Sequence, residues 1–210
     1  MRLNDFSVRV IGGSEEAGGY VEMTHGRKYT LCLHNYRSVA CNAQVSIDGK
    51  DVGTWRIAAR LSIRLERPAH DSGRFTFYEL GTEDAEAAQI PSGMEAGLVR
   101  VVFTPAQYIC HSPIGWKCHL YPMRVEYSGK PTTIKYTVEN NTRAVSGTPN
   151  ATAGGTGLSG HSEQEFGDAP AVELDHSQQT TIHLRLVCGR SGEGPRPLTQ
   201  LSTPIPPALK

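Results

Sequence analysis

Two Cys-His pairs in "CHSPIGWKCH" (Cys110, His111, Cys118, His119) are the residues of this chain whose types most invite chemistry. Thiolate and imidazole are zinc ligands. A structural site, however, draws four of them from Cys-x2–4-Cys and His-x3–5-His spacings. Adjacent residues on extended backbone point to opposite sides, so one ion cannot easily take all four, and a reduced loop with Trp116 packed down is the simpler expectation. Asp48 and Asp51 in "DGKDVG" suggest a calcium loop, but a lysine sits between them and the carboxylates are too few for a cage of six to eight oxygens. Glu66, His70 and Asp71 in "ERPAHD" lie together at a strand end and read as a turn. Neither His-Glu-x-x-His nor a Gly-x-Ser-x-Gly elbow occurs. The expectation is therefore no catalytic residue, no metal and no cofactor.

The glycine-rich "AGGTGLSGHSEQEF" (Ala153 to Phe166) has the composition of a phosphate cradle. It lacks the Gly-Lys-Ser/Thr ending whose lysine neutralises phosphates. It also lacks the helix whose N-terminus would hold a pyrophosphate. The expectation is a long flexible loop over 143–169. That segment holds six glycines, with Val145, Leu158 and Phe166 as its sizeable apolar residues, too few for a core layer. Loops of this length are often functional, and this one is expected to order against a neighbouring subunit through Leu158 and Phe166.

The elements around these residues are strands. "YTLCLH", "CNAQVSID", "RLSIRLE" and "TTIHLRLVC" alternate apolar and polar positions; the third sets Leu61, Ile63 and Leu65 on one face. Such alternation implies antiparallel sheets with one buried and one wetter face. His34 and His183 fall on the wetter faces. Further strands are expected at 6–11, 20–24, 52–57, 74–80, 98–103, 123–127 and 133–139, with Asp48-Gly49 as a tight hairpin turn. Residues 81–89, with Thr82 as cap and acids in the first turn, read as one short helix. The fold class is all-β: an antiparallel β-sandwich or jelly roll over residues 1–188, with a loop insertion at 105–122. Residues 189–210 carry five prolines and read as an extended arm.

At 210 residues the chain can bury a core without staples, and its 21 basic residues equal its 21 acidic ones. That balance argues against binding nucleic acid through phosphates, and no apolar run reaches the ~20 residues of a membrane span. Five cysteines with no signal-like N-terminus point to reduced thiols inside a cell, although Cys32 and Cys41 could meet across a hairpin as a disulfide.

At "GRKYTLCLHN", "AQVSIDGKDVGTWRI", "RLERPAHDSGRFTFYELGT" and "GLVRVVFTP" the chain resembles a recurrent all-β family associated with tailed bacteriophages. "GGTGLSGHSEQEF" followed by "TTIHLRLV" resembles that family's C-terminal part; together the pieces cover most of residues 20–188, and the 105–122 insertion departs from the pattern. The resemblance carries no catalytic motif. It implies a virion protein of head or tail, assembled in the bacterial cytoplasm. Taken with the alternation, the arm and the neutral charge, the leading expectation is a decoration or cement protein. Its partners would be the major capsid protein or other virion proteins and copies of itself, for example in a trimer. Subunit contacts are expected at Leu158 and Phe166 and along the arm at Pro195, Pro197, Pro204, Ile205, Pro206 and Pro207. Two other functions compete. One is a receptor- or carbohydrate-binding module of a fibre or spike, stacking sugars on Trp55, Trp116, Tyr108 or Tyr121. The other is a hydrolase using Cys110 and His111.

Overall fold

The computed structural model describes residues 1–107 and 151–189, all of which belong to one compact unit. The strands expected at 123–127 and 133–139, most of the 105–122 insertion, the Cys110–His119 cluster and the proline-rich arm lie outside the described residues. Among those described, thirteen strands form two sheets. In chain order they are β1 (Arg2–Leu3), β2 (Phe6–Ile11), β3 (Ser14–Glu15), β4 (Tyr20–Met23), β5 (Arg27–Lys28), β6 (Thr30–Asn35) and β7 (Cys41–Ile47). They continue with β8 (Lys50–Ile57), β9 (Ser62–Leu65), β10 (Arg74–Glu79), β11 (Leu98–Pro105), β12 (Thr152–Ser159) and β13 (Thr180–Cys188).

The smaller sheet runs β1-β2-β6-β9; the larger runs β5-β10-β12-β13-β11-β7-β8, with β3 and β4 attached beside β13. All pairs are antiparallel except β4 with β13, where Arg185↔Tyr20 through Cys188↔Met23 run parallel. The alternation read from the sequence sets the faces. Leu31 and Leu33 of β6 and Val8 and Val10 of β2 point into one core with Val45, Ile47, Val99, Val101, Ile182 and Leu184 of the larger sheet. Phe6 and Phe103 stack across the two layers at 4.6 Å between ring centres. Each fully buried side chain of this size contributes on the order of 1.5–3 kcal/mol by leaving water. Leu61 departs from the expected alternation. It precedes β9, next to Arg60 at φ 58°, and is exposed.

Asn35 fastens the two layers at one end. It is fully buried; its Nδ2 donates to the carbonyls of Val39, Ile57 and Ala58 while its Oδ1 accepts from the Arg37 amide. Cys32 and Cys41, weighed as a disulfide pair, are both free thiols. They belong to different sheets: β6 pairs with β2 and β9, and β7 with β8 and β11, so the expected hairpin between them does not exist.

The loop expected over 143–169 is corrected at its centre. Thr152–Ser159 is strand β12, in register with all of β10 from Arg74↔Ser159 to Glu79↔Gly154. The glycines are explained by what lies against them. The single helix α1 (Glu83–Ala87) is capped by Thr82, whose hydroxyl accepts the Ala85 amide, as the sequence indicates. The chain leaving it packs on the face of β12: a β carbon on Gly157 would meet Ala88 and the Tyr78 ring, and one on Gly155 would meet Ile90 and the Asp48 carboxylate. On the opposite side, a β carbon on Gly154 would run into Phe77. The strand is thinned so that helix, ring and carboxylate can reach its backbone.

Residues 160–175 have no regular structure but are held throughout. The Ser162 amide donates to Ser72 O and the Arg56 guanidinium to Pro170 O, while Gln107 N donates to Glu173 O and Asp175 N to Pro105 O. This strap passes from the β9 edge of the small sheet to the β8 edge of the large one.

Substitution separates a packed strand from a loop. Gly155→Val is expected to lower unfolding free energy by about 1–3 kcal/mol or more through overpacking. Gly167→Ala, where nothing lies within 4 Å, is expected to stay within about 0.5 kcal/mol of the parent. Urea denaturation of both variants provides the comparison.

Candidate functional site

The polar face of the large sheet carries the most chemically loaded row in the described structure. Cross-strand register sets His183 of β13 beside Arg100 of β11, Arg100 beside Ser46 of β7, and Ser46 beside Asp51 of β8. Ser46, Arg100 and His183, with Gly49, Glu95 and Leu98, line an open groove of about 640 Å³. Its wall is the 94–97 segment, which is held down by Arg185. That side chain is 0% exposed; its guanidinium donates to the carbonyls of Ala96 and, at 2.7 Å, of Met94. Burial, then the charges of Arg100 and Arg185, hold the His183 imidazolium below its ordinary pKa, with Glu95 opposing. His183 is therefore half-covered rather than freely exposed on its wetter face.

Beneath the groove lies Asp48. The Asp48-Gly49 turn has both residues at positive φ (52° and 76°), the hairpin geometry its sequence indicates. Its carboxylate is not a calcium ligand in waiting. Oδ1 accepts the Gly97 amide and Oδ2 the Thr156 amide, each at 2.6 Å, while Asp51 turns outward toward Gln44. Thr156 in turn pairs its hydroxyl with Tyr29 at 2.7 Å. Burial pushes the Asp48 carboxyl up to about 7, although both amides and the charges of Lys50 and Arg185 pull the other way. Burial likewise pushes the Cys41 thiol up to about 12.

A second groove lies along the strap, between residues 67–72 and 161–165. Glu66 there pairs with Arg74 and accepts the Ser162 hydroxyl, and Asp71 Oδ1 caps the Gly73 amide, so the Glu66–Asp71 cluster is committed to turn structure.

Of the expected contact residues, Leu158 is 41% exposed on β12, opposite Phe75. Phe166 is partly buried against the core of its own chain. Its ring meets Trp55 edge-on at 5.5 Å and lies under the Arg67 guanidinium at 4.4 Å. Trp55, one of the residues considered for sugar stacking, is consumed by the same contact and is buried. Pro195, Pro197, Pro204, Ile205, Pro206 and Pro207, like Trp116, Tyr108 and Tyr121, lie outside the described residues. Sequence reasoning missed Arg100, Glu95 and the inward turn of Asp48. Alternation placed His183 on a wetter face, but only register sets Arg100 beside it. Comparison with family models, curated proteins and solved structures finds no match.

Two outcomes test this geometry. Asp48 binds its proton more readily folded than unfolded, so its contribution to stability is greatest below pH ~4 and is lost as pH rises toward 7. Denaturation at several pH values should show that slope shrinking in Asp48→Asn relative to the parent. Phe166→Ala removes the ring that anchors the strap; limited proteolysis should then cut within 160–175 at least several-fold faster while the sheets remain folded.

Proposed function

We propose that this chain is a structural protein of a tailed-bacteriophage particle, a decoration or cement protein that holds neighbouring subunits together by protein–protein contact. The observation that carries the reading is how the described sandwich treats its edges. An open strand edge is a template for uncontrolled pairing, and proteins that must add to a particle only at chosen places need to suppress it.

Each lateral edge is short or partly covered from within. Gln164 lies along β9 like a strand residue, its Oε1 accepting the Glu66 amide and its Nε2 donating to Arg64 O. Ala69 donates to Val52 O on β8. Beyond β10, Gly26 and Tyr29 donate to Phe77 O and Phe75 O. The two-residue strands β1 and β3 cover β2 and β4. What stays available is sheet face, including the Ser46–Arg100–His183 row and Leu158. Contact through faces, repeated by symmetry, multiplies modest interactions into a durable shell. The resemblance to a phage-associated β-family suggests the particle; the short or partly covered edges favour contact through faces. The burial of Trp55 takes one stacking residue from the sugar-binding alternative.

The test is to mix the purified chain with heads stripped of accessory proteins and to locate it by electron microscopy. Density at symmetry-related positions, with a fixed copy number per capsid subunit, is the expected result. A chain that stays monomeric and never sediments with particles overturns the proposal.

A further inference from the structure

We propose that the groove between Ser46, Arg100, Glu95 and His183 is a binding site for a single carboxylate group, of the kind carried by an acidic side chain, a chain end or a small organic acid. The inference stands on the geometry of the groove and does not depend on the particle assignment.

Three donors converge there from three adjacent strands. Arg100, Ser46 and His183 sit in one cross-strand row, with side chains directly opposite one another in register and about 4.5–5.5 Å between Cβ atoms. Arg100 is exposed and forms none of the ion pairs among the described residues. A guanidinium presents a planar fork that matches a carboxylate with two parallel bonds. Ser46 adds a hydroxyl donor at one side of that fork and the His183 ring adds an N–H at the other.

The remaining charges near the groove decide which anion fits. Arg185 contributes positive charge from beneath, but its guanidinium is committed to Ala96 and Met94. Asp48 lies under the turn with both oxygens bound to amides, Lys50 reaches away to Gln89 O, and Asp51 faces Gln44. Glu95 is the group that opposes. Its Cγ and Oε2 lie 3.4 Å from where a Gly49 β carbon would stand, which places a negative charge on the rim. Desolvation cost grows more steeply with charge than attraction does, so a phosphate dianion needs more neutralisation than one guanidinium and two uncharged donors supply, with Glu95 adding like charge at the rim. The two oxygens of a carboxylate, by contrast, are matched by that single fork. The groove therefore selects carboxylate over phosphate.

The test uses the full chain and follows the His183 ring resonances by NMR. The probes are acetate, inorganic phosphate, a short peptide whose sole carboxylate is its C-terminus, and the same peptide amidated. Acetate and the free-acid peptide are expected to shift the ring saturably and to raise the pH at which it titrates, with phosphate weaker and the amidated peptide silent. A free-acid peptide binding well above acetate assigns the carboxylate to a protein partner; equal binding assigns it to a small acid. Arg100→Gln should weaken carboxylate binding about tenfold or more, with the same spectra reporting that the exposed substitution leaves the fold intact. Glu95→Gln should raise phosphate affinity toward that of acetate. No saturable response to either carboxylate, undiminished binding in Arg100→Gln, or a parent protein that prefers phosphate would each overturn the assignment.

Discussion

The larger sheet depends on how one strand, β13, serves two neighbours in succession. It pairs with β11 from Thr180 to Arg185, and Leu186 N–H then bonds to Gly97 O. From Val187 it pairs with β12 instead. Gly97 stands at the handover with φ 70°, where a β carbon would press on the carbonyls of both Leu186 and Gly154. Two strands that part in this way leave backbone amides facing a gap, and a buried amide without a partner is costly. The Asp48 carboxylate fills the gap, accepting one amide from each branch, Gly97 on the β11 side and Thr156 on β12. The cost of burying that carboxyl appears in its raised pKa, and two charge-assisted bonds offset part of it.

Much of the surrounding architecture follows from keeping this fork open and dry. Glycines at 155 and 157 let Ile90 and Ala88 cover it from outside, and the Tyr29 hydroxyl reaches Thr156 from another side. The 94–97 segment, pinned by Arg185, supplies Gly97 to the fork and at the same time raises the wall of the groove above. Structural and candidate functional features are thus two faces of one segment. The interior carboxylate holds the branches, and the exterior Arg100 forms no ion pair among the described residues.

The strap from Gly160 to Asp175 plays a complementary part. It carries Glu163, Glu165, Asp168, Glu173 and Asp175 and no lysine or arginine, and it runs beside Arg56, Arg64 and Arg67. A segment with so few apolar residues cannot build its own core, yet it is held by backbone bonds and by a single ring inserted beside Trp55. It closes the side of the sandwich where both sheets would otherwise present raw edges. For the particle role proposed above, this would leave contacts to be decided by faces that side chains can tune.

The sequence by itself determined the layers. Period-two alternation in β6, β7 and the first half of β13 dictates which side chains leave water, whereas Arg185, on the polar side of that pattern, is buried by the fold. The cap at Thr82 and the Asp-Gly turn are written in local chemistry that needs no distant partner. Tertiary structure decided what depends on residues far apart in the chain. Gly154 to Gly157 read as a loop because glycine carries no side chain to reveal a buried face; they became a strand only when α1 and Asp48 came to occupy the space a β carbon would need. That Phe166 packs edge-on against Trp55, far earlier in the chain, is likewise visible only in the fold. The groove was invisible for the same reason. Ser46, Arg100 and His183 are spread across more than half the chain, and only hydrogen-bonded register, fixed by packing on the opposite face, makes them one site.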